Sequence, residues 1–243
     1  MTVLFFAPNP ILIAAAVIPA IVLLVYVYRA DKLDREPPML LLSLIMRGVF
    51  ATALAVYTER IGVQLLDLYC KDNDILYRVL LYFVVVACSE EGFKYMLLRM
   101  RTWKSPAFNC QFDGVVYAVF VSLGFALWEN IDYVIMYGFG TALLRAVTAV
   151  PGHACFGVFM GAFYGFAKRC ESCGRKAESR LFGFLSLAAP VILHGFYDFA
   201  ASIDDDRYAW VFTVFIAAMF LVTFLLVRRL SKNDKYIGNN YNY

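Results

Sequence analysis

Apolar residues in this chain fall in long runs. Stretches of about 20 predominantly apolar residues occupy roughly residues 9–28, 39–58, 75–98, 114–138, 141–167, 181–203 and 208–227. At about 1.5 Å per helical residue, each can cross a hydrocarbon layer of about 30 Å. Backbone polar groups inside lipid must be paired within the segment, and the runs are far too long for barrel strands, so the pattern predicts helices. The expected fold is all-α, a polytopic transmembrane helical bundle of about seven spans. Residues 1–230 form one membrane-embedded domain; residues 231–243, "SKNDKYIGNNYNY", are polar and unpatterned and read as a mobile tail.

Composition supports this. Of 243 residues, 62% are hydrophobic, and the mean hydropathy is +0.66. That is more apolar surface than a soluble domain of this size can hide. The opening "MTVLFFAPNP" contains no Lys or Arg and no small-residue cleavage site, so the first run reads as an anchor and not a signal peptide. Net charge is only +3, but fifteen of the 22 basic residues lie on alternate loops and the C-terminus: Arg29, Lys32 and Arg35; Arg99, Arg101 and Lys104; Lys168 to Arg180; Arg228 to Lys235. The other loops are acidic or neutral, as in "DDDR" at 204–207. Basic loops stay in the cytoplasm, so the N-terminus is expected outside and the C-terminus inside, in a multi-pass protein of the cell membrane whose surroundings are lipid. There is no nucleotide-binding glycine loop, repeat or low-complexity linker, and no nucleic-acid partner is expected. Cys170 and Cys173 form a lone C-x-x-C, which reads as incidental reduced thiols, and the six cysteines show no disulfide framework.

The ionisable residues inside the spans carry the chemistry, because each costs about 2.5 to 3.5 kcal/mol to insert and needs a partner or a purpose. "SEEGFKY" places Glu90 and Glu91 four and three residues before Lys94 on one helix. One carboxylate can neutralise the ammonium, and the second is left over for acid or base work. In "GFALWENIDY", Glu129 and Asn130 have no basic residue a turn away, so the counter-ion of Glu129 must come from another helix, a metal or a proton. Arg47 is one candidate partner for Glu129 or for a lipid phosphate, and Asp113 reads as a helix cap. Both histidines of the chain, His153 and His194, fall in spans. His153 shares a stripe with Gly157, Gly161 and Gly165, a surface on which helices approach closely. His194 and Asp198 are one turn apart, where a carboxylate can orient the imidazole. Structural pairs would explain each feature singly; convergence of four polar helices points to a site. Counting about 1.5 Å per residue from the assigned ends puts Glu90 about 22 Å and His153 about 18 Å below the outer surface, with Glu129 and His194 about 8 to 14 Å nearer to it than Glu90.

The ordered motifs "EEGFK", "FALWE" followed by Asn130, "HACFG" and "HGFYD" resemble the PrsW family of intramembrane proteases, in the superfamily of the CAAX prenyl proteases and bacteriocin-immunity proteins. The resemblance extends over roughly residues 26–200. It implies a membrane endopeptidase that cuts a single-pass membrane protein, such as an anti-sigma factor, on its outer side. Carried over, Glu90 or Glu91 would activate water, His153 would assist or polarise the scissile carbonyl, and His194 with Asn130 or Asp198 would stabilise the oxyanion. The superfamily often has His where this chain has Glu129. Two mechanisms stand: a glutamate mechanism with no cofactor, which is favoured, and a divalent-metal mechanism, zinc for example, on His153, His194 and Glu129. No H-E-x-x-H occurs. The alternatives are a non-catalytic membrane adaptor or immunity-type protein, or a proton-coupled carrier; the carrier lacks inverted repeats.

Overall fold

The computed structural model describes residues 10–70 and 73–238. The start of the first apolar run with its anchor reading, Lys71 of the second loop and the tail residues 239–243 lie outside the described residues.

Helices α1 (Pro10–Ala30) and α2 (Pro38–Tyr69) open the bundle, separated by "DKLDREP", whose Pro37 is the N-cap of α2, with Pro38 as its first residue. Helix α3 (Asp74–Val79) runs through a π-helical stretch, Leu80–Ala87, into α4 (Cys88–Thr102), giving one rod over 74–102. Then follow α5 (Asp113–Tyr137), α6 (Phe139–Val147), α7 (Ala149–Ser172), α8 (Lys176–Ala201) and α9 (Asp206–Lys232). Gly138, at a φ of 83° that residues with a Cβ rarely adopt, divides α5 from α6. Asn73 and Asp205 cap α3 and α9 by accepting from the N–H groups of Leu76 and Arg207. Among the described residues six helices are long and apolar enough to cross a membrane, counting α6 and α7 together, and the rod over 74–102 completes the expected seven. The protein is a multi-pass membrane protein.

Helix α5 is the axis, buried on nearly all sides from Asp113 to Ala126 and packed on α7, α2 and α1. The glycine stripe of α7 makes this possible: a Cβ at Gly161 would collide with the Gly114 carbonyl, and one at Gly165 with the Gln111 carbonyl. Backbone against backbone is the approach that small-residue seams permit in lipid. Ser122 of α5 donates to the His153 carbonyl at 2.6 Å, fixing the height of α7 on α5.

Two expectations change. The segment after α9 is docked: Cys110 and Tyr236 form an antiparallel bridge, and Gln111 N–H donates to the Lys235 carbonyl at 3.0 Å. The loop before α5 has backbone donors that no helix satisfies, and the segment satisfies them. Asp113 is the first residue of α5 and not its cap; its Oδ2 accepts from the Asn109 and Cys110 N–H groups, which precede the helix.

Candidate active site

Glu90, Glu91 and Lys94 from α4, Glu129 from α5, His153 from α7 and His194 with Asp198 from α8 meet in the bundle. Lys94 is fully buried between three acceptors: Glu90 Oε2 at 3.1 Å, Glu91 Oε1 at 2.7 Å and His153 Nδ1 at 3.2 Å. Those contacts use all three ammonium protons. The Phe125 ring lies 3.9 Å from Lys94 Nζ and covers it with a π face. An ammonium has no lone pair, so Nδ1 of His153 accepts, and Nε2 is left to donate to Glu129 Oε2 at 2.8 Å. His194 is held between two carboxylates, Nδ1 to Glu91 Oε1 at 2.9 Å and Nε2 to Asp198 Oδ2 at 3.3 Å. The Phe156 ring stacks on it at 4.7 Å between centroids.

Counting along the spans separated these groups in depth, yet they touch. The π-helical stretch just ahead of Cys88 and Pro190 inside α8 are departures from uniform helix that residue counting omits. π-Helical turns are frequent at functional sites because they rotate the residues that follow onto a new face.

Above the ion network lies a cavity of about 340 Å³, walled by Glu59 of α2, Tyr82, Glu90, Glu129, Arg145, His153, His194, Tyr197 and Asp198 among others. Of the expected site residues, Glu90, Glu129, His153, His194 and Asp198 reach it. Glu91 lies behind, fully buried, serving Lys94 and His194. Asn130 is turned away: its amide nitrogen donates to the Ala16 carbonyl at 2.8 Å, and its carbonyl accepts from Arg145 Nε at 3.0 Å.

The counter-ion of Glu129 is Arg145, at 2.8 Å, and not Arg47. Arg145 is an arginine inside the predicted fifth span, and that placement was itself the signal. Glu59 falls just past the apolar run at 39–58, but α2 continues past it to Tyr69, and its Oε1 is buried with no hydrogen-bond partner. Nothing in the local sequence distinguishes Glu59 from a loop acid.

Among the described residues, one group of donors could hold a metal ion. Glu90, Glu91 and His153 bring ligand atoms within 4.8 Å of one another; the expected set of His153, His194 and Glu129 is not that group. The space between the three is taken by Lys94 Nζ. Both nitrogens of each histidine also already have protein partners. A cation fits between the three donors only if the Lys94 ammonium leaves, so the donor set as arranged does not suit a resident metal.

The profile of the "PrsW family intramembrane metalloprotease" matches residues 36–227. The chain belongs to this family. It is 29% identical over 224 residues to Protease PrsW of Oceanobacillus iheyensis, covering 91% of this chain and 97% of that protein. It is 31% identical over 224 residues to Protease PrsW of Halalkalibacterium halodurans, covering 92% and 99%. It is 32% identical over 210 residues to Protease PrsW of Bacillus subtilis, covering 86% and 90%. No solved structure matches it. PrsW membership makes the chain a membrane-embedded protease, and a membrane-anchored substrate and lipid surroundings come with that assignment; the profile's description leaves a metal open.

Proposed function

We propose that the protein hydrolyses a peptide bond of a single-pass membrane protein, of the anti-sigma-factor kind, with a water activated by Glu90. The observation that supports this reading is the shared cavity: carboxylates and imidazoles from five helices face one space. Of the two adjacent glutamates, Glu90 lines that space and Glu91 does not, so Glu90 is the base and Glu91 the positioning residue that holds Lys94 and His194. The Glu90 carboxylate takes a proton from water as the water oxygen bonds to the scissile carbonyl carbon. The C–N bond then breaks, and the proton on Glu90 passes to the departing amine.

Donors for the oxyanion come from the same wall. Arg145 uses Nε on Asn130 and Nη2 on Glu129, which leaves N–H groups of the guanidinium for substrate. The rings of His153 and His194 border the cavity beside it. Asn130 acts by fixing Arg145 and Asp198 by fixing His194. The cavity lies toward the ends of α5 and α8, near the acidic 204–206 stretch and away from the basic loops. With basic loops cytoplasmic, it opens to the outer leaflet, with the N-terminus outside and the C-terminus inside.

The test is co-expression of wild type, Glu90→Gln, Glu91→Gln, His153→Ala and His194→Ala with single-pass membrane substrates. Cleavage by wild type and none by Glu90→Gln is expected; full cleavage by Glu90→Gln overturns the assignment. A second reading, a metal at Glu90, Glu91 and His153, has their mutual proximity in its favour. Metal analysis of active protein, and activity before and after chelation, separates the two: activity that survives complete chelation removes the metal reading, and stoichiometric metal with reversible loss removes the Glu90-water reading.

A further inference from the structure

At the end of the bundle that carries the basic loops, the last turns of α1 and α9 wall a second cavity, of about 620 Å³. Arg29 stands a turn beyond Tyr26 on one wall, and Lys232 a turn beyond Arg228 on the other, with Lys32 just past the end of α1. Ser231 Oγ donates to the Ala30 carbonyl, which fixes the two walls to each other. One acid, Asp234, also borders the space, and its Oδ1 is engaged by the Phe112 and Lys235 N–H groups.

The cations on these walls differ from others near helix ends. Arg78, Lys168, Arg175 and Arg207 each pair with a carboxylate. Among the described residues no carboxylate pairs with Arg29, Lys32, Arg228 or Lys232, and all four are exposed. Four positive charges around one space repel one another, and an anion between them relieves that repulsion. The surface next to the cavity is apolar. The Tyr26 and Phe224 rings stack across α1 and α9 at 6.4 Å between centroids, and Arg228 leans on the Phe224 ring at 5.5 Å. Val22, Val25, Leu221 and Leu225 are exposed on the same faces, one or two turns before Arg29 and Arg228. Among the six spanning helices, α1 and α9 are the two least covered by the rest of the bundle.

We propose that this cavity binds the headgroup of an anionic phospholipid, its phosphodiester between Arg29, Lys32, Arg228 and Lys232 and its acyl chains along the exposed apolar faces of α1 and α9. Basic pockets between membrane helices at headgroup depth suit such lipids. The two arginines offer paired N–H donors that match phosphate oxygens, and the two lysines add mobile point charges. A free phosphate would answer the charge but would leave the adjoining apolar face unused; a ligand with an anionic head and hydrocarbon tails uses both. The bound lipid ties the first span of the bundle to the last. The site shares no residue with the cavity around Glu90 and is independent of how that cavity works.

The experiment is native mass spectrometry of the full-length, detergent-purified protein titrated with phosphatidylglycerol or with phosphatidylcholine of the same acyl chains. Wild type should bind phosphatidylglycerol about 10-fold or more tightly than phosphatidylcholine. Arg29→Gln/Arg228→Gln should lose about 10- to 30-fold in affinity for phosphatidylglycerol and nothing for phosphatidylcholine. Lys32→Gln/Lys232→Gln, a second pair on the same walls, should show a comparable loss, and Arg29→Lys/Arg228→Lys should keep most of the affinity. Lys176→Gln/Arg180→Gln removes as many charges from exposed positions on α8 and should bind as wild type does. Three results overturn the proposal. One is equal wild-type affinity for the two lipids; another is an equal loss in the α8 variant, which means that diffuse surface charge holds the lipid. The third is displacement of phosphatidylglycerol by a large excess of inorganic phosphate, which means that the cavity takes a free anion.

Discussion

Around Glu129, most of the buried acids are matched, with one oxygen of Glu59 and one of Glu91 left over. Glu90 and Glu91 share the Lys94 ammonium, Glu129 meets Arg145 and a ring N–H of His153, and Asp198 meets His194. Around Asp113, four acids, Asp31, Glu36, Asp234 and Asp113 itself, leave five carboxylate oxygens with no protein donor. Both clusters include a residue of α5, and each mixes fully buried acids with half-buried ones. Pairing through side chains gives a network with a fixed geometry and an open cavity beside it, as chemistry requires. Acids gathered with only Arg35 acting on one of them give a cluster that takes up protons readily.

The largest effect that would break this contrast is at Glu90. Glu90→Gln keeps the size of the side chain and removes the base, so kcat/KM should fall by about 10³-fold or more, with a modest change in thermal midpoint. A fall in activity that tracks a collapse in stability would place Glu90 among the structural acids. Next is Lys94→Met. It leaves two buried carboxylates uncompensated, and breaking such a pair costs about 3 to 5 kcal/mol. A denaturation series should show that loss, and stability equal to wild type would show that the network is not held by its ammonium. Arg145→Gln should reduce kcat/KM by about 10²-fold through Glu129 and the oxyanion, with partial recovery in Arg145→Lys.

The smallest effect concerns pH and sharpens the other half of the comparison. Asp31 and Glu36 have folded-state values of about 6 and about 7, above the ordinary carboxylate range. Raised acids bind protons more tightly in the folded state than in the unfolded one. Stability should therefore rise as pH falls from about 8 toward about 5, and be lost as pH rises back through those values. Asp34, Asp113, Asp234 and Arg35 share the same field. D31N and E36Q should flatten the profile, and an unchanged slope in both would exclude these two groups as its source.

Much of the fold could be read along the chain. The seven apolar runs became seven helical rods with edges shifted by a few residues, except that α2 extends well beyond its run to Tyr69 and thereby delivers Glu59 to the cavity. The site was legible where one turn of helix holds the pattern: Glu90, Glu91 and Lys94, and His194 with Asp198. It was not legible where partners come from different helices. Arg145 with Glu129, and Lys94 with His153, are separated by 16 and 59 residues, and no local period encodes such a distance. The same reason hid the acidic cluster, whose members looked like ordinary loop acids.

Sequence alone determined that the chain crosses a membrane several times and that acids and imidazoles lie within its spans, because insertion energy depends on composition over about 20 residues. Tertiary structure decided which glutamate faces the cavity, that an ammonium fills the space between the three candidate metal ligands, and that acids from three segments are buried together. Those outcomes depend on the rotation and depth of each helix, which are set by glycine seams, a π-helical turn and contacts between helices rather than by any single stretch of residues.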